Sequence, residues 1–162
     1  MKQLQRHIPL ATFIIIAYVM LPVCNSDYLY TIQDNSIFIQ GVTFMQDIVN
    51  HHGGWVAWIA CYLTQFFYHP WLGSTIIIAL WTVMYALTCW LFALHGWKRS
   101  FALALPAALM LNIIDYGYWI YYAKTPGFAF CPTLLVLVAV IITCVLRASL
   151  IWAKMKNARS TA

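Results

Sequence analysis

The chain runs from Leu72 to Leu94 without a single charged residue, and from Phe128 to Leu146 in the same way. A hydrocarbon core of roughly 30 Å needs about 20 such residues in a helix to cross it. Charges interrupt the apolar runs only at their edges. Only 8% of the residues are charged, with no Glu at all, against 64% hydrophobic; soluble domains carry about 25% charged residues. The sequence therefore specifies an integral membrane protein. Backbone groups in lipid must bond internally, so the fold class is all-α.

Four runs have the length of a span: about 8–24, 72–94, 100–122 and 128–152. One loop of substance, 25–71, follows the first. The expectation is a single membrane domain over 1–162, with four transmembrane helices and two interfacial helices in the first outer loop. Orientation follows from the basic residues. Lys2, Arg6, Lys98, Arg99, Lys154, Lys156 and Arg159 share one side, and Lys124 alone falls on the other. Cationic loops stay in the cytoplasm, which puts both termini and the 95–100 connection there. The net charge of +5 is thus a topology signal and no mark of nucleic-acid binding. Cys24, Cys61, Cys89, Cys131 and Cys144 are dispersed without ligand spacing and read as small core residues. Leu21-Pro22-Val23-Cys24 has the outline of a lipoprotein cleavage box, but Val23 is larger than the small residue such a box requires before its cysteine.

The outer loop carries helical periodicity. Ser36, Gln40, Thr43, Asp47 and Asn50 make a polar stripe, and Phe38, Val42, Met45 and Val49 an apolar one. This predicts an amphipathic helix over 36–50, capped by Asp34-Asn35-Ser36. After Gly53-Gly54, Trp55, Trp58, Tyr62 and Phe66 repeat at helical spacing up to Pro70. That segment is too short to span and predicts a second interfacial helix, because Trp and Tyr favour the headgroup level. Its aromatic residues serve either as an interfacial belt or as a wall for a lipid-linked or sugar ligand.

Tyr30 to Ser36, Gly53-Gly54-Trp55, and Tyr62 to Gly73 together resemble the amino-terminal part of a bacterial family of multi-pass membrane proteins of unknown function. Members of that family are longer. Their layout is similar to that of membrane glycosyltransferases that use polyprenyl-phosphate sugars. The resemblance implies an amino-terminal module in the bacterial inner membrane, with further spans or a protein partner beyond it. It also implies a lipid-linked sugar ligand at the outer leaflet. No cofactor is implied.

Several residues are candidates for chemistry. Asp27 and Asp34 follow the first span on the outer side, where glycosyltransferases of that layout hold an acid. There a carboxylate takes a proton from an acceptor hydroxyl or holds a metal bridging a lipid phosphate; the plainer reading is a solvated residue or a helix cap. Asp47, His51 and His52 cluster, but with only His69 as a distant further ligand they read as a helix end, and no metal site is expected. Asp115 lies inside the third span, where a carboxylate costs about 2.5–3.5 kcal/mol. Asn112, Tyr118, Trp119 and Tyr122 share the face of Asp115, with Lys124 above, which suggests a polar, aromatic pocket opening outward; Trp55, Trp58 and Tyr62 of the loop are the further candidates for ligand contact. An Asp bonded to tyrosine hydroxyls is the structural alternative. Arg147 is expected to snorkel to the headgroups, and Pro106 to kink the third span.

Three functions remain in view. One is the module of a glycosyltransferase-like protein. Another is a non-enzymatic membrane subunit that docks a partner through the aromatic loop. The third is a small transporter built around Asp115.

Overall fold

The computed structural model describes residues 8–51, 54–119 and 127–160, and every regular element among them is helical. Helix α1 spans Ile8–Tyr18 and widens into a π turn, Val19–Val23. The cause is Pro22, which has no N–H to offer the carbonyl one turn back. The ladder recovers as a bond from Cys24 N–H to the Val19 carbonyl, 3.0 Å, five residues behind. The chain then bends by 69° into α2, Ser26–Asn35. Helices α3, Val42–His51, and α4, Gly54–Thr64, follow, and a 3-10 turn, Gln65–Tyr68, ends the loop.

Helix α5 spans Pro70–Leu91, with Pro70 in the first turn, where its missing N–H costs nothing. A 3-10 stretch, Gly96–Leu103, leads into α6, Ala104–Trp119, and the last helix, α7, spans Cys131–Ser160. By length and composition α5 and residues 131–153 of α7 suit a membrane crossing, and the bent pair α1–α2 makes a third if counted as one span.

Three contacts fix the direction of the last helix. The Trp81 indole N–H donates to the Thr133 hydroxyl at 3.1 Å, Cys144 Sγ–H donates to the Leu87 carbonyl at 3.8 Å, and Arg147 donates to the Trp90 carbonyl at 3.0 Å. Numbers rise together along both helices, so α5 and α7 run parallel. Helix α1 runs the other way against α5: Phe13 meets Trp81 at 6.1 Å, and Tyr18 meets Thr75 and Trp71 nearer the start of α5. Helix α6 is antiparallel too, since Ala102 before it packs by Tyr85 and Cys89 while Ile113 near its other end meets Tyr28 of the loop region. Up-down-up-down order follows, with residues 94–99 and the end of α7 at one pole and residues 25–70 at the other.

The core is the seam between these helices. Trp81 is wholly buried and sits with Phe13, Ile77, Met84 and Leu137. An indole N–H in such a place needs an acceptor, which Thr133 supplies. The outward faces are also apolar, as Ile15, Val83, Leu111, Ile142 and Leu146 are all exposed. A bundle apolar inside and outside is built for lipid.

The loop differs from the periodicity in two places. The helix expected over 36–50 begins only at Val42. Asp34-Asn35-Ser36 closes α2 at its C-terminal end and does not cap the next helix. The reason is that Ser36 is used elsewhere: it is buried, its hydroxyl accepts from Gly127 N–H at 3.1 Å, and its carbonyl accepts from the Gln65 amide. Pro106 likewise lies in the first turn of α6, after the 3-10 stretch, and does not kink a continuous span.

Candidate functional site

Two regions at opposite poles carry the polar and aromatic groups. The first is the cap formed by residues 25–70. Ser36 ties it to the turn before α7 through Gly127, and within the cap it holds the 3-10 turn through Gln65. Gly127 has φ +70° and presses on the backbone of Ala60 and Cys61. Phe67 of the 3-10 turn packs against Phe130 in a tilted pair at 5.3 Å and lies against Gly73 of α5. The cap is thereby a folded part of the bundle.

On its outside lies an aromatic array. Phe38 contacts Phe44 at 5.8 Å, Trp58 at 5.5 Å and Tyr62 at 5.4 Å, and Trp55 stands edge-on to Trp58 at 6.2 Å. Edge-to-face pairs at such separations are favourable for aromatic quadrupoles. The expected trio Trp55, Trp58 and Tyr62 is therefore brought together on α4, joined by Phe38, whose place in the array the period-based reading missed. Trp55 and Tyr62 are exposed, as are Tyr68 and Trp71 farther along.

Asp27 and Asp34 lie seven residues apart on the exposed face of α2, while Leu29 and Ile32 face the core. Asp27 stands in the first turn, a favourable place for a carboxylate. Between them, Tyr28 turns inward and donates its hydroxyl to the Ile113 carbonyl at 3.1 Å. That bond sets α2 against α6 two residues before Asp115. Asp115 and Tyr118 lie within α6, but their side chains are outside the description, and Tyr122 and Lys124 lie outside the described residues. Asp47 is on α3, His51 ends it, and His52 lies outside the described residues. No group of three metal-ligating side chains occurs among the described residues.

Cys61 on α4 is buried, and burial pushes its thiol up to about 11, with the nearby Cys131 adding to the effect. Such a thiol is a packing group with little nucleophilic character near neutral pH.

The second region was not foreseen. A cavity of about 620 Å³ opens at the far end of α5, lined among others by Arg99, Arg147, His95, Leu10 and Ile151. Helix α5 ends there in a Schellman-type turn: Leu94 N–H reaches the Cys89 carbonyl at 2.9 Å, and Ala93 takes φ +48°. Arg147 donates to the Trp90 carbonyl, which also accepts from Ala93 N–H at 3.2 Å, and Arg99 Nε donates to the Leu94 carbonyl just past the helix at 3.1 Å. The Arg147 guanidinium also lies 5.7 Å from the Trp90 ring centre. Arg147 is thus bonded back to the end of α5. Only the clustering of Arg99 with Arg147 in space reveals the cavity, and the two are 48 positions apart in sequence.

No curated protein and no solved structure matches the chain. Residues 2–158 match the model of a family of unknown function, DUF6057, and the chain belongs to that family.

Proposed function

We propose that the chain is a non-enzymatic membrane module that crosses the bilayer four times, seats its aromatic cap at the headgroup level of the outer leaflet, and docks a membrane partner there. The observation that carries this reading is the construction of the cap. The Ser36–Gly127 bond fixes it to the bundle and the Gln65–Ser36 bond braces it internally, while Trp55 and Tyr62 face outward. A rigid platform with exposed Trp and Tyr suits both the interfacial layer and a protein contact. The four crossings rest on the parallel order of α5 and α7. The chain between them must return along the bundle, and the 3-10 stretch with α6 covers about 40 Å at ordinary helical rises. Lys98, Arg99 and the basic end of α7 share the pole opposite the cap, and the positive-inside rule supports a cytoplasmic side for that pole and, with it, for both termini.

The test is photo-crosslinking in native membranes. A benzophenone amino acid replaces Trp55 or Tyr62 in the full-length protein, with the exposed Trp97 at the other pole as control. Discrete protein adducts from the cap positions alone support docking. Adducts with lipid alone reduce the cap to an anchor.

A second reading follows from Asp27 and Asp34, which share one exposed face beside the helix that carries Asp115. In it the chain is the amino-terminal module of a glycosyltransferase-like protein. The acids handle an acceptor proton, and Asp115, Tyr118, Tyr122 and Lys124 with Trp55, Trp58 and Tyr62 receive a polyprenyl-phosphate-linked sugar. Transfer from such a donor by membranes bearing the full-length protein, abolished by Asp27→Asn or Asp34→Asn, supports it. Transfer unchanged in both variants removes it.

A further inference from the structure

The cavity at the end of α5 is cationic on one side and greasy on the other. Arg99 and Arg147 are half-buried, His95 is exposed, and among the described residues no carboxylate lines the cavity. Each arginine is held in place by one bond to a backbone carbonyl. A guanidinium has five N–H donors, so each keeps a further edge for a ligand. Two pre-oriented guanidiniums without an acidic partner match a phosphate, whose oxygens accept such forks in pairs. Leu10 of α1 and Ile151 of α7 form the apolar wall. Trp90 and Ile151, which line the cavity, are exposed on the outside of the bundle, so the cavity borders the surface that acyl chains would cover.

We propose that this cavity binds the phosphate headgroup of an anionic phospholipid from the surrounding leaflet, with Arg99 and Arg147 on the phosphate and an acyl chain against Leu10 and Ile151. The site rests on the reading that α5 and α7 cross a bilayer. It is independent of what the cap docks. A lipid bound here bridges α1, the end of α5 and α7, and so ties the first helix to the last.

The experiment is native mass spectrometry of the full chain purified in mild detergent, titrated with dioleoyl phosphatidylglycerol, with dioleoyl phosphatidylcholine as the zwitterionic control. One phosphatidylglycerol is expected to survive at detergent and collision conditions that strip phosphatidylcholine. Arg99→Gln with Arg147→Gln is expected to weaken retention by at least about tenfold, the factor carried by a lost charge-assisted hydrogen bond. Lys98→Gln removes an adjacent charge outside the cavity and is expected to leave retention unchanged. Because Arg147 also bonds to the end of α5, a second variant keeps both arginines: Ala86→Trp sets an indole into the cavity and is expected to weaken retention of the lipid as well.

Equal retention of the two lipids overturns the proposal. So does a loss in Lys98→Gln equal to that in the double variant, which signals general surface charge, or full retention in Ala86→Trp. Glycerol phosphate competes in a third arm: displacement of the lipid at millimolar concentration or below assigns the site to a soluble phosphate and overturns the lipid assignment. Alkaline carbonate extraction of the same membranes tests bilayer insertion separately. Protein that resists extraction but retains no phosphatidylglycerol refutes the site alone, whereas protein released by carbonate refutes the membrane reading beneath it.

Discussion

Trp81 and Thr133 are joined by a 3.1 Å hydrogen bond in the fully buried seam between α5 and α7. The bond lies where water does not reach, so its donor has no substitute if the acceptor is removed. Thr133→Val keeps the shape and orphans the indole N–H, at an expected cost of about 1–3 kcal/mol. Removing both polar groups in Trp81→Phe with Thr133→Val is expected to cost less than the sum of the single variants. Thermal unfolding in detergent of the four proteins closes the cycle. Strict additivity contradicts the coupling.

Gly127 holds the cap down. Its φ of +70° strains any L side chain, and a Cβ there comes to 2.6 Å from the Cys61 nitrogen and 2.8 Å from the Ala60 carbonyl carbon. Those are backbone atoms of α4 and have little room to move. Gly96 has a similar φ of +60° with open space around it. Gly127→Ala is therefore expected to lower stability by more than the ~1 kcal/mol anticipated for Gly96→Ala, which pays conformational strain alone. Limited proteolysis within 37–41 is the second readout, and is expected to rise only in Gly127→Ala.

Ala93 is the converse case. It adopts φ +48° at the close of α5, the position where helices favour glycine. Ala93→Gly is expected to stabilise the protein by about 0.5–1 kcal/mol, since relief of strain outweighs the added freedom of the unfolded chain. A fall in melting temperature contradicts the assignment of the turn.

The cysteines divide by exposure. Cys24 is exposed and Cys61 is buried, with its thiol pushed up to about 11. A raised thiol value means the neutral form persists until pH approaches it, so Cys61 holds little thiolate at pH 7.5. Maleimide is expected to label Cys24 within minutes and Cys61 only after denaturation. Mass spectrometry of the labelled peptides decides. Rapid labelling of Cys61 in the folded protein contradicts the packing around it.

Hydropathy made α5 and α7 legible because lipid imposes one strong rule on long apolar runs, whereas the runs expected over 8–24 and 100–122 form a bent pair and a 3-10 stretch followed by a 16-residue helix. Leu72–Leu94 and α5 coincide within a few residues for that reason. The aromatic face of α4 was legible from Trp55, Trp58 and Tyr62 because they recur on one helical side. The start of α3 was not, because the bonds from Gly127 and Gln65 to Ser36 span 91 and 29 residues, and no local pattern records them. Helix α2 was hidden for a related reason: Asp27, Asp34 and Asn35 favour turns and caps, and burial of Leu29 and Ile32 overrides that preference. The cationic cavity depends on the parallel register of α5 and α7, which places Arg147 on Trp90. Register between helices is a tertiary property, and periodicity within one helix does not encode it.

With α5 and α7 running in the same direction through a bilayer, as proposed, the cap lies at one face and residues 94–99 at the other. Substituted-cysteine accessibility distinguishes the two faces. Gln40→Cys and Trp97→Cys are introduced singly into a cysteine-free full-length protein, and intact cells are treated with a membrane-impermeant maleimide. Labelling of Gln40→Cys in intact cells, and of Trp97→Cys only after permeabilisation, is the predicted result. Labelling of both positions in intact cells, or of Trp97→Cys alone, contradicts it.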